Sequence, residues 1–68
     1  MDSVQIATDS IRLGQLLKLA DLVDSGVAAK VLLASGQVRV NGEVETRRGR
    51  QLVRGDVVSS GLVSVRLQ

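Results

Sequence analysis

The residues best suited to chemistry in this sequence are its cations. There are nine: Arg12, Lys18, Lys30, Arg39, Arg47, Arg48, Arg50, Arg54 and Arg66. Seven Asp and Glu residues oppose them, so the net charge is only +2, but it is unevenly spread. Residues 1–29 sum to −2, residues 30–54 to +4, and residues 55–68 cancel. Seven of the nine cations are Arg. The planar guanidinium fork grips phosphate oxygens in pairs and can stack on bases. A local basic cluster of this kind is the electrostatic footprint of a phosphate-binding protein. The plainer alternative is a solvated surface with an excess of Arg.

Other chemistries are poorly served. With no Cys and no His, the chain has no thiolate nucleophile, no imidazole base, no disulfide and none of the common zinc ligand sets. A Ser–Lys or carboxylate-pair mechanism would need a substrate cleft of roughly 300–1,000 Å³, which a domain this small rarely forms. A non-enzyme without metal or cofactor is the expectation. The start, Met1-Asp2-Ser3, is acidic and polar, with no long apolar run behind it. The longest uncharged apolar stretch, Val31 to Ala34, is far too short to span a bilayer. A soluble cytoplasmic protein is expected, monomeric by default.

The 68 residues suffice for one domain, residues 1–68, whose core must be almost wholly aliphatic because Phe, Tyr and Trp are absent. Val4 and Ile6 alternate with polar neighbours and suit a short strand. Leu13, Leu16, Leu17 and Ala20 mark one face of a first helix. Asp9 or Ser10 could cap it, or the strand could run through Arg12. Asp24 or Ser25 could cap a second helix with a buried stripe of Ala29, Leu32 and Leu33, stopped by Gly36.

At Gly36 the apolar period changes from 3.6 to 2. Val38 to Val40 and Glu43 to Thr46 alternate around Asn41-Gly42, which predicts a hairpin. A two-residue loop would set Val38 opposite Glu45 and Val40 opposite Glu43, placing charge on the apolar face. A three-residue loop sets Val38 opposite Val44 and Arg39 opposite Glu43, and that register is the favoured one. Arg47-Arg48-Gly49-Arg50 reads as an exposed loop, with Leu52 and Val53 returning to the core and Arg54 near Asp56. Val57 to Ser59, a Ser60-Gly61 turn and a strand from Val63 to Leu67 complete the chain. The fold class is therefore α+β: two packed helices in a helix-turn-helix-like arrangement, then a small, mostly antiparallel sheet.

Arg12-Leu13, Leu16, Ser25, Ala29, Leu32-Leu33, Gly36, Val38, Val40-Asn41-Gly42 and Gly55-Asp56, in this order and spacing, resemble the S-four RNA-binding domain, named after protein four of the small ribosomal subunit. Leu13 to Lys18, Asn41-Gly42-Glu43 and Arg47-Arg48-Gly49-Arg50 look closest to its small stand-alone bacterial members. The resemblance covers about residues 11–58. It implies the alpha-L RNA-binding motif, with an RNA surface formed by the second helix, the hairpin and the basic loop. Carried over by position, Lys30, Arg39, Arg47 and Arg48 are the implied contacts, with Arg50 beside them. Arg12 matches the Arg that opens the motif in many members. Two departures stand out. Gly14 occupies a place where the broader family commonly has Asp, and Gly26 a place where it commonly has Arg.

The absence of aromatic side chains removes the rings on which single-strand readers stack bases. Recognition is then expected to rest on phosphates, 2′-hydroxyls and the shape of a structured RNA such as ribosomal RNA, with modest sequence preference, the protein acting as an assembly factor or a clamp on RNA. The competing class is a protein-interaction module whose Arg loop docks an acidic partner.

Overall fold

The structure, a computed structural model, describes residues 2–68. Its elements run β1 (Asp2–Val4), β2 (Ser10–Arg12), α1 (Leu13–Leu19), α2 (Gly26–Ala34), β3 (Val38–Val40), β4 (Glu43–Val44), β5 (Gln51–Val53), β6 (Val57–Ser60) and β7 (Val63–Leu67). The α+β reading holds. Two helices pack together and share one buried core with a five-stranded sheet of order β1-β7-β6-β3-β4, antiparallel except where β1 lies parallel to β7. A separate ribbon pairs β2 with β5.

The helices form where the apolar spacing places them. Leu13, Leu16 and Leu17 of α1 are fully buried, as are Ala29 and Leu33 of α2, with Leu32 packed at the margin. Each fully buried Leu contributes roughly 1.5–3 kcal/mol of transfer free energy, which a core without rings must gather from many such residues. Val38, Val40, Leu52, Val58, Val65 and Leu67 supply the sheet side, joined by Ile6 just beyond β1. Neither Asp9 nor Ser10 caps α1; the strand runs through Arg12, and the Arg12 N–H donates to Gln15 Oε1 at 3.3 Å. Ser25 caps α2, its Oγ accepting from the Ala28 N–H at 3.0 Å.

Two turns differ from expectation. The hairpin takes the two-residue loop: Val40 faces Glu43 and Arg39 faces Val44, not Glu43. Asn41 (φ 52) and Gly42 (φ 88) are both left-handed, the pairing whose twist matches the strands. Asn41 also clamps the neighbouring strand, accepting from Val57 N–H at 2.9 Å and donating to Asp56 Oδ1 at 3.1 Å. Val44 is thereby turned outward and half exposed, while Glu45 is turned inward and buried. The second difference is at the last hairpin, where β6 continues through Ser60 and the turn is Gly61-Leu62, with Ser60 paired to Val63. Val53, expected inside, alternates outward from buried Leu52 and is half exposed.

Candidate nucleic-acid interface

The basic loop between β4 and β5 is organised from within by Glu45. Its Oε2 accepts from the backbone N–H groups of Thr46 and Arg47, both at 3.1 Å, and from Arg47 Nε at 3.2 Å. Its Oε1 accepts from Arg47 Nη2 and Arg50 Nη1, both at 3.1 Å. These bonds solve the problem of a carboxylate on an apolar face. The Arg47 side chain, then its backbone N–H, then Arg50 hold the Glu45 pKa at about 2 against an ordinary 4.5, with burial opposing them. Glu45 in turn pushes the Arg47 pKa up. Arg47 remains largely exposed, whereas Arg50 keeps a third of its side chain in solvent.

The same loop is docked on the start of α1. Leu13 N–H donates to the Arg50 carbonyl at 2.8 Å and Gly14 N–H to the Arg48 carbonyl at 2.9 Å. First-turn amides that a helix cannot satisfy itself are thus spent on the loop. The stem of Arg48 lies over Gly14 so closely that a Cβ there would overlap Arg48 Cγ and stand 3.0 Å from Cδ. The guanidinium continues toward α2, where a Cβ on Gly26 would be 3.9 Å from Arg48 Nη1. The two positions that depart from the S-four pattern therefore face one side chain.

This arrangement leaves an open cleft of about 420 Å³ between α1, the start of α2 and the loop, lined by Arg12, Gly14, Gln15, Lys18, Gly26, Arg48 and Gly49. A wider, more apolar groove of about 710 Å³ lies between the segment after β1 and α1. Spaces of this size were not expected in so small a domain; neither is lined by a carboxylate, Cys or His.

Of the expected contact residues, the structure brings Arg12 and Arg48 into the cleft. Lys30 is exposed on α2, one helical turn beyond Gly26. Arg47 and Arg50 share Glu45. Arg39 is exposed on the outer face of β3 and donates to the Gly42 carbonyl at 3.1 Å, at the hairpin tip. Arg54 does not pair with Asp56: it donates to the Ile6 carbonyl at 2.9 Å and lies 3.6 Å from Asp9, while Asp56 closes its own turn by accepting from Val53 N–H. Lys18 and Gln15 were not singled out from the sequence. Their signal is spacing, since Gln15 and Lys18 fall on α1 outside the buried Leu13, Leu16 and Leu17 stripe, with Lys18 one turn after Gly14.

Among known proteins, the family model described as the S4 domain matches residues 4–68. The probable ribosome maturation protein RlbA of Bacillus subtilis is 53% identical over 55 residues, 81% of this chain and 78% of that protein. The putative RNA-binding protein YbcJ of Escherichia coli is 47% identical over 49 residues, 72% of this chain and 70% of that protein. The solution structure of YbcJ, described as revealing an alpha-L motif involved in RNA binding, superposes with a TM-score of 0.74 and 38% identity, covering 98% of this chain and 86% of that one.

Proposed function

The chain belongs to the S4 domain family, and we propose that it is a non-catalytic RNA-binding protein that holds structured ribosomal RNA during ribosome assembly. Lys30, Arg39, Arg47, Arg48, Arg50 and Arg12 are the proposed contacts. The observation that carries this reading is the convergence of the basic loop on α1 and α2, with Arg12 and Arg48 lining one cleft whose lining includes no carboxylate. The relatives named for ribosome maturation and RNA binding support the same direction. Phosphate contacts from these side chains position the protein, and the shape of the folded RNA selects the site. Action in the cytoplasm, where ribosomes assemble, follows from that role; no helix among the described residues is long and apolar enough to cross a membrane.

In-cell crosslinking followed by sequencing of the recovered RNA tests the proposal. Enrichment of a structured ribosomal RNA region, with binding in vitro that weakens steeply as salt rises, is the expected result. Recovery of an acidic protein without RNA would favour the competing docking module instead.

A further inference from the structure

The seven glycines of this chain divide into two groups. Gly36, Gly42, Gly55 and Gly61 have positive φ and sit in turns, where the backbone itself calls for glycine. Gly14, Gly26 and Gly49 do not, and all three line the cleft between α1, α2 and the basic loop. What these three share is the missing Cβ. At Gly14 the space is taken by the stem of Arg48, which is thereby laid into the cleft. At Gly26 a Cβ would meet only Arg48 Nη1 at 3.9 Å, and at Gly49 nothing at all within 4 Å. Those two positions could carry side chains without clash, yet none fills the cleft.

The walls carry charge of one sign. Arg12, Lys18 and Arg48 reach the cleft from β2, α1 and the loop, and no carboxylate opposes them. Gln15 adds an amide whose Oε1 is oriented by the Arg12 N–H, leaving its NH₂ group as the donor. The backbone N–H groups of Leu13 and Gly14 are already used by loop carbonyls, so side chains must do the binding. Three cations suit phosphate oxygens, a glycine floor lets a sugar approach the backbone, and about 420 Å³ exceeds what a lone anion needs.

The geometry points to a site for one phosphate–ribose unit of bound RNA, held by Arg12, Lys18 and Arg48 with Gln15 on the sugar. This deepens the RNA-binding reading above and rests on it. It adds Lys18 and Gln15 to the contacts and assigns Gly26 and Gly49 the role of keeping the site open.

The test is to fill the cleft without removing any charge. Gly26→Leu adds bulk at the first helical position of α2, where, beyond its chain neighbours and its own helix backbone, the nearest atom to the new Cβ is Arg48 Nη1 at 3.9 Å. In the parent, titration with ribose 5-phosphate should shift the amide resonances of Gly14, Gly26 and Gly49. Gly26→Leu should abolish those shifts and weaken binding of structured RNA about tenfold, the scale of one charged hydrogen-bonded contact. Lys18→Gln, at an exposed position, should weaken RNA binding and flatten the salt slope by about 0.7 to 0.9. If both variants bind RNA like the parent while Arg47→Ala does not, the cleft site is wrong and the RNA-binding function stands. If the parent binds no structured RNA, the function itself fails, and the RNA site with it. Tight binding of ribose 5-phosphate alongside unchanged RNA affinity in Gly26→Leu would make this a free sugar-phosphate site and overturn the assignment.

Discussion

Arg47 grips Glu45 at two points, Nε on Oε2 at 3.2 Å and Nη2 on Oε1 at 3.1 Å. The guanidinium nevertheless stays largely in solvent, while the carboxylate side chain is only 10% exposed. One residue anchors the loop and the other is presented by it. The anchor titrates: the Glu45 pKa is held at about 2, below its ordinary 4.5. Its contribution to stability is fully present above about pH 4.5 and is lost as pH falls toward 2. Urea unfolding followed across that window should show a loss of stability in the parent that is smaller in Glu45→Gln. An equal loss in both would show that other carboxylates govern the acid limb.

Gly14 and Arg48 should be coupled. Alanine at a helical position normally gains about 0.5–1 kcal/mol over glycine, whereas overpacking costs about 1–3 kcal/mol. The atoms in the way are the near part of the Arg48 stem, and its carbonyl is tied to the Gly14 N–H. Gly14→Ala alone is therefore expected to destabilise by about 1 kcal/mol, and the same change in an Arg48→Ala background to stabilise. A double-mutant cycle by thermal or urea unfolding reads the sign reversal.

Asn41 should matter to stability well beyond an ordinary exposed turn residue. It holds φ 52 and makes two side-chain bonds to the Asp56–Val57 segment. Asn41→Ala should cost about 2–3 kcal/mol from left-handed strain and lost hydrogen bonds, and Asn41→Gly less, since only the bonds are lost. Equal losses would assign the effect wholly to the side-chain bonds.

Removing Arg47 and Arg48 together should weaken binding to many structured RNAs by similar factors. It should also flatten the plot of log K against log salt by about 1 to 2 units. The charges are proposed to hold phosphates, which do not differ between sequences. A variant that binds as tightly as the parent, with an unchanged slope, would reduce both arginines to solvated surface. A loss confined to one RNA would mean that they read base edges.

The helices and their buried leucines were legible because α-helical spacing is a local property, visible in Leu13, Leu16, Leu17, Ala29 and Leu33. The hairpin register was not. Sorting side chains by polarity kept Glu45 out of the core, but two arginines further along the chain fold back to satisfy it, and the Asn41 clamp reaches across to another strand. The parallel pairing of β1 with β7 and the β2–β5 ribbon are likewise long-range, and no local period encodes them. At the candidate site, the run from Arg47 to Arg50 announced itself by composition. The cleft did not, because Gly14, Lys18, Gly26 and Gly49 acquire a common meaning only once the loop docks on α1.

The parallel pairing of β1 with β7 sets an order of events during synthesis. Asp2 pairs with Val65 and Val4 with Leu67, and the Gln68 N–H donates to the Val4 carbonyl. β1 thus waits about 60 residues of synthesis, roughly 3 to 12 s at ordinary elongation rates, for its only pairing partner among the described residues. The α1–α2 pair and the Asn41 hairpin close over short sequence distances and can form earlier. The sheet itself can close only after residues 63–67 have cleared the exit tunnel. Closing β7 onto β1 is therefore the most non-local step of the fold, joining strands about 60 residues apart.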